Sequence, residues 1–296
     1  VAPSELLRLL KSHGIRPRRS LGQHFLTSAR HLDRIVDLAE LGPQDAVLEV
    51  GAGTGLLTAR LAERAGVVVA VEVDPRLVKV LEASVGTHPR VRVVPADIMA
   101  LQLRDLFPAG MRRKVVANLP YRIASPLLVR LLEEVPDLER LVVTVQEEVA
   151  RRLAAPPGSA EYGLLSVLVR FHADVRVAFR IPPGAFLPPP QVTSAVVLLR
   201  PRPRPADVDY GLFRSLARAA FGQRRKQLHR AWAALGAAVQ EAARVAGVDL
   251  RRRGETLTVE EFAAVARVLS REPGAAGPRP QGEVGGVPDS SRRRRA

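Results

Sequence analysis

Val47-Leu48-Glu49-Val50-Gly51-Ala52-Gly53-Thr54-Gly55-Leu56-Leu57-Thr58 is the stretch that decides the fold. An apolar run ends in an acidic residue and three alternating glycines, then passes directly into a helical pattern over 56–65. Glycines between a strand and a helix let backbone approach a ligand closely. Two well-known loops do not fit. A dinucleotide fingerprint needs G-x-G-x-x-G, but Gly55 comes one position early and Leu56 holds the later slot. A Walker loop needs Gly-Lys-Ser/Thr, which does not follow.

On either side of this loop, strand-like and helix-like runs alternate. Strands are expected at 46–50, 67–73, 91–95, 114–118 and 141–145, and helices at 56–65, 76–85 and 125–134, where Leu127, Leu128, Leu131 and Leu132 share one face. This alternation marks a parallel sheet covered on both faces. Beyond residue 150 the order changes: 175–179 and 192–199 read as two more strands joined by a proline-rich segment at 181–190. Pro201, Pro203 and Pro205 mark a linker, and 210–270 carries Leu, Phe and Ala at three- and four-residue spacing, a small helical domain. Residues 1–20 read as a short amphipathic helix followed by the basic connector Arg16-Pro17-Arg18-Arg19. Residues 272–296, made of Gly, Pro, Ser and Arg, bury too little apolar surface to offset ordering entropy and are expected to be disordered. The division is therefore an N-terminal basic extension at 1–20, an α/β domain at 21–203, a helical domain at 204–271 and a basic tail at 272–296.

The chain has 296 residues, 47% of them hydrophobic, enough for one large core and a smaller one. Lys and Arg number 45 against 30 Asp and Glu, a formal net charge of +15, so a polyanion is the natural partner. Arginine that merely solubilises the surface is the competing explanation. With no cysteine, disulfides, thiolate metal sites and cysteine nucleophiles are excluded. The six histidines contain no H-x-x-x-H pair, and no metal is expected. The N-terminus lacks a small-residue cleavage signal, and no window approaches the ~18 apolar residues of a membrane span. A soluble cytoplasmic protein is expected.

An acidic residue ahead of G-x-G-x-G resembles the first motif of the Rossmann-like S-adenosylmethionine methyltransferases, in which the cofactor's amino-acid end packs against the loop through Gly51 and Gly53. Glu72 closes the second strand twenty-one positions after Gly51, where a carboxylate can accept from both ribose hydroxyls. Asp97, at the end of the third strand, would meet the adenine amine, with Ile98 packed on the ring. Solvated carboxylates at strand ends are the plain alternative for both acids.

The fourth strand ends in Val115-Val116-Ala117-Asn118-Leu119-Pro120-Tyr121, at the carboxyl edge where open α/β sheets bind ligands. An exocyclic adenine amine is a poor nucleophile because its lone pair is delocalised into the ring. The Asn118 side-chain oxygen and the Leu119 or Pro120 carbonyl could take its hydrogens and turn the lone pair toward a sulfonium methyl. Tyr121 offers a face for the base. The sulfonium is already electrophilic, so positioning supplies most of the catalysis.

Through Gln23-His24-Phe25-Leu26, Glu49-Val50-Gly51-Ala52-Gly53-Thr54-Gly55, Asn118-Leu119-Pro120-Tyr121 and Phe186-Leu187-Pro188-Pro189-Pro190-Gln191-Val192-Thr193-Ser194, the chain resembles the ribosomal RNA adenine dimethyltransferase family, most closely its small-subunit (16S) branch. The resemblance spans about residues 15–270. It implies an α/β fold with a Rossmann-like class I S-adenosylmethionine methyltransferase sheet and a small C-terminal all-helical domain. It assigns His24, Leu26, Gly51, Glu72, Asp97 and Asn118 to the cofactor, Asn118 through Tyr121 to the reacting amine, and Phe186 to stacking on a flipped base opposite Tyr121. Phe186 also reads as a core aromatic held between prolines. Two positions depart from the family: His24 stands where many members carry Asn, and Arg122 replaces the Asn that often follows the motif tyrosine.

Arg214, Arg218 and Arg225 would share one helix face suited to phosphates if Gly222 does not break the helix, and Arg224, Arg225 and Lys226 form a basic block beside them. A solvated helix face is the alternative. The resemblance implies small-subunit ribosomal RNA in an assembling particle as partner, and a monomer. Large-subunit (23S) dimethylation of the macrolide-resistance type, DNA adenine methylation, and a non-catalytic assembly or transcription factor on the same fold stay open as competitors.

Overall fold

The structure, a computed structural model, describes residues 3–15 and 23–271; the basic connector and the 272–296 tail lie outside the described residues. The chain opens with α1 (Pro3–Ser12), the two-residue strand β1 (Phe25–Leu26) and α2 (Ala29–Ala39). There follow β2 (Asp45–Val50), α3 (Leu56–Arg64), β3 (Val67–Glu72), α4 (Pro75–Val85), β4 (Val91–Pro95), β5 (Arg112–Asn118), α5 (Ala124–Glu134) and β6 (Leu138–Gln146). Then come α6 (Glu147–Ala154), α7 (Leu164–His172), β7 (Ala173–Ile181), the short β8 (Phe186–Leu187) and β9 (Ser194–Pro201). Four helices finish the described chain: α8 (Tyr210–Gly222), α9 (Leu228–Ala231), α10 (Ala237–Val245) and α11 (Val259–Arg271).

Seven strands form one sheet in the order β4-β3-β2-β5-β6-β9-β7. The five from β4 to β6 are parallel, and β9 runs antiparallel to both β6 and β7. The chain winds outward from β2 through β3 to β4, then returns to lay β5 on the other side of β2. The crevice at the carboxyl ends of β2 and β5 is therefore the switch point where such sheets bind ligands.

Strand side chains alternate between two buried faces, which is why the central strands carry apolar residues at successive positions, as at 46–48, 67–71 and 115–117. Leu48, Val50, Val115 and Ala117 pack toward α5, while Val47 and Val116 pack toward α2 and α3. Leu6, Leu10 and Ile15, from α1 and the turn after it, cover Phe25, Leu77 and Val80. The two-residue strands β1 and β8 pair antiparallel, placing Leu26 opposite Phe186.

A second core gathers Phe213, Trp232 and Phe262 from the C-terminal helices, with Trp232 donating from Nε1 to the Leu216 carbonyl at 2.9 Å. Helix α7 serves both cores: Leu165 and Val169 pack beneath the sheet, Val167, Leu168 and Phe171 among the C-terminal helices. Here one sequence expectation is corrected. Helix α8 ends at Gly222 and Gln223 leaves the helical region, so Arg225 does not continue the face of Arg214 and Arg218. Glycine's poor helix propensity accounts for the stop. Arg214 turns instead to Glu133 of α5, 3.5 Å away. No described helix is long and apolar enough to cross a membrane.

Candidate active site

Two close approaches shape the crevice. Gly51 has φ +71, and a Cβ there would lie 3.2 Å from Pro120 Cγ; Gly53 has φ +58, and a Cβ would lie 3.0 Å from the Phe25 ring. Side chains at either position would fill the space the loop leaves open. The result is a cavity of about 390 Å³, lined by Gly51, Gly53, Glu72, Asp97, Ile98, Asn118, Leu119, Pro120 and Tyr121 among others. That volume falls within the roughly 300–1,000 Å³ of small-molecule sites. Most sequence-expected residues, contributed by the ends of four parallel strands, thus meet in one place.

Glu72 is 6% exposed at the end of β3. Its Oε1 accepts from the backbone N–H groups of Val73 and Asp74, and its Oε2 from that of Gly53, each at 2.9 Å. Oε1 is saturated, whereas Oε2 keeps one lone pair for a ligand hydroxyl. Burial pushes the carboxyl upward in pKa, and the three N–H donors oppose that rise. Glu72→Ala is expected to weaken cofactor binding by roughly 1.5–3 kcal/mol, the scale of a hydrogen bond to a charged group. Calorimetry checks this, and parental affinity would remove Glu72 from the site.

Glu49, not singled out from sequence as a site residue, is 2% exposed with Oε2 unpartnered. Burial pushes its carboxyl up to about 8, with Thr58 opposing and the nearby Glu72 reinforcing the rise. Asp74 caps α4, accepting from Arg76 N at 3.1 Å, and the Arg76 side chain holds its carboxyl down to about 2. Gln23 donates to Asp74 Oδ2 at 3.0 Å, which fastens the segment before β1 to the cavity wall. The Asp-Pro pair at 74–75 is a capping signal visible in sequence; the bond from Gln23, fifty-one positions away, has no local signal. Asp97 is exposed and accepts from Met99 N at 2.9 Å, while Ile98 is 3% exposed yet part of the cavity wall.

Asn118 ends β5. Its Nδ2 donates to the His24 carbonyl at 3.0 Å, and its Oδ1 is buried without a partner. A carbonyl can only accept, so the amide orientation is settled by this contact and the oxygen must be the free acceptor. Tyr121 hydrogen-bonds Ser194 Oγ through its hydroxyl at 2.7 Å and stacks on His24, ring centroids 5.7 Å apart at 25°. His24 Nδ1 lies 2.8 Å from the Pro188 carbonyl and must donate to it. In the tautomer with the proton on Nδ1, Nε2 is left as an acceptor.

Two expected residues are not brought to the cavity. Phe186 is 3% exposed and Leu26 4%, and both pack in the core between the sheet and α2. Their strands pair with each other, which turns these side chains inward. The base-stacking role for Phe186 is therefore replaced by its core role. In the basic block, Arg218, Arg225 and Lys226 are exposed, but Arg224 is not free: it donates to Glu255 at 2.9 Å and to the Ala160 carbonyl at 2.6 Å.

With this geometry in hand, the match to known proteins is direct. The model of the family described as ribosomal RNA adenine dimethylase matches residues 14–271. The chain belongs to the ribosomal RNA adenine dimethylase family. It is 44% identical to the ribosomal RNA small subunit methyltransferase A of Geobacter metallireducens, over 88% of this chain and 98% of that one. It is 47% identical to the protein of the same name from an Anaeromyxobacter species, covering 88% and 96%. Among solved structures, the 23S rRNA methyltransferase ErmE is 28% identical with a TM-score of 0.65, covering 83% of this chain and all of that one. As a member of this family the chain is a methyltransferase with S-adenosylmethionine as cofactor. The glycine cradle, the open lone pair of Glu72 and the carboxylate of Asp97 suit a ligand with ribose hydroxyls and an amine.

Proposed function

We propose that the protein dimethylates adenine N6 in 16S ribosomal RNA of an assembling small subunit, acting as a cytoplasmic monomer. The observation that carries this is the unpartnered Asn118 Oδ1 on the cavity wall, an acceptor held dry and aimed by the His24 carbonyl. The two relatives named above, at 44% and 47% identity, bear small-subunit names, whereas the 23S enzyme is 28% identical.

Bound S-adenosylmethionine supplies an electrophilic methyl group. Asn118 Oδ1 accepts one hydrogen of the target amine, and a backbone carbonyl accepts the other. Pro120 O already accepts from Ile123 N at 3.1 Å, so Leu119 O is the freer acceptor. Two acceptors draw the nitrogen toward tetrahedral geometry and concentrate its lone pair. Tyr121, oriented by Ser194 and His24, gives the extruded base a surface. Gly51, Gly53, Glu72, Asp97, Ile98 and His24 hold the cofactor. The helical unit at 204–271 grips RNA through Arg218, Arg225 and Lys226, and Arg224 positions the loop that carries them.

Incubation with labelled cofactor and isolated small or large subunits, followed by RNA digestion, tests this. Dimethyladenosine in small-subunit RNA is expected. Label confined to large subunits would transfer the protein to the 23S class, and label in neither would favour a non-catalytic role.

A further inference from the structure

We propose that RNA backbone is also held outside the helical domain, in the cleft between α2 and the edge strand β7, where Arg34 and Arg176 flank Phe179. This rests on the chain having an RNA substrate.

The cleft has a volume of about 360 Å³, and Arg34, Arg176 and Phe179 line it together with Asp37 and Glu40. The Arg34 guanidinium lies over the Phe179 ring, 3.8 Å from its centroid. A cation held by a ring face keeps its N–H donors for another partner. Among the described residues, neither Arg34, Arg176 nor the exposed Arg30 one turn earlier pairs with a carboxylate. The acids of this surface are already spent: Asp33 pairs with Arg60 at 2.9 Å, Asp37 with Arg64 at 2.6 Å and Glu40 with Arg140 at 2.5 Å. Excess positive charge remains, and it is felt locally. The His31 imidazole, whose ring centroid is 6.1 Å from that of Phe179, is held below its usual pKa by burial and then by Arg34 and Arg30.

The cleft is also in register with the reacting centre. Asn118 stands opposite Thr144, Thr144 opposite Val196, and Val196 opposite Phe179. Three strand spacings of ~4.8 Å put Phe179 about 14 Å from Asn118 across the sheet. Helix α2 begins just after His24 and Phe25, which line the cavity, so Arg30 and Arg34 lead away from its mouth. An RNA with one base extruded into the cavity must lay its flanking backbone over nearby surface within a few nucleotides. Unspent guanidinium forks suit phosphate oxygens bidentately, and structured RNA is read through its backbone and shape.

The test uses the full chain with Arg34→Glu/Arg176→Glu, binding naked 16S RNA and small subunits across a salt series, beside Arg225→Glu/Lys226→Glu for comparison. Cofactor affinity is expected to stay parental. Affinity for both RNA forms is expected to fall about tenfold or more, with the salt slope reduced by about 1.4–1.8, the sum for two phosphate contacts. Arg34→Lys/Arg176→Lys should keep the parental slope. If the glutamates, placed beside Asp37 and Glu40, abolish cofactor binding, Arg34→Ala/Arg176→Ala carries the same test. Parental RNA affinity and slope in a cofactor-competent variant would overturn the contact. Loss on subunits but not on naked RNA would assign the cleft to a ribosomal protein and overturn it equally. A parent that binds no RNA would overturn the RNA-substrate function together with the cleft, whereas a normally methylating parent beside an indifferent cleft variant overturns the cleft alone.

Discussion

Asn118→Ala is expected to slow single-turnover methyl transfer on small subunits at least about a hundredfold at saturating cofactor, or ~3 kcal/mol in the barrier. The side chain does two things at once. Nδ2 is anchored to the His24 carbonyl at 3.0 Å, and Oδ1 is left buried and unpartnered, so alanine removes an acceptor that needs no reorganisation when the amine arrives. RNA affinity should barely change, since no phosphate contact is lost. Asn118→Asp should also alter the product. Its second oxygen would face the His24 carbonyl where Nδ2 now donates, and the misplaced acceptor should matter differently for the monomethylated amine, which has a single hydrogen left. Nucleoside mass spectrometry should therefore show a shifted ratio of mono- to dimethyladenosine. An alanine variant with parental rate and parental dimethyl yield would overturn the catalytic assignment.

Lys114→Met is expected to cost about 3–5 kcal/mol of stability, the range for removing one partner of a buried ion pair. Lys114 is 4% exposed, and its Nζ donates to Asp45 Oδ2 at 2.9 Å and to the Ala39 and Glu40 carbonyls at 3.2 and 2.6 Å. One ammonium therefore neutralises a fully buried carboxylate and closes the C-terminal end of α2. Methionine fills a similar volume but leaves all three oxygens without that donor. Gly42 N still reaches Asp45 Oδ2 at 2.7 Å and Arg112 Nε lies 2.9 Å from Oδ1, so the lower end of the range is expected. Replacing both partners, as Lys114→Met/Asp45→Leu, should recover part of the loss because no buried charge is then stranded. Urea unfolding measures both variants. A loss under ~1 kcal/mol for the single variant would mean that water substitutes for the lysine.

The central strands, the glycine turn and the motif at 118–121 were legible in sequence because their causes are local. Strands β2, β3 and β5 are buried on both faces over their centres and read there as apolar runs, at 46–48, 67–71 and 115–117, and a ligand-cradling turn must carry glycine where φ is positive. Glu72, Asp97 and Asn118 could be placed because each ends or closely follows a parallel strand, and parallel strands deliver their ends to one edge. Charge on Lys114 and Arg224 looks the same in sequence as charge on Arg225, yet the first is buried in a network, the second ties two loops together and the third faces solvent. Phe186 carries no local mark of which way it points; pairing with β1, 160 positions earlier in the chain, turned it inward. The orientation of the Asn118 amide was likewise decided by the His24 carbonyl, ninety-four positions away. Residue type and spacing determine what a segment can form and which chemistry it carries. Which lone pair is left free, and which cation is already neutralised, depends on partners that only the folded chain brings within hydrogen-bonding distance.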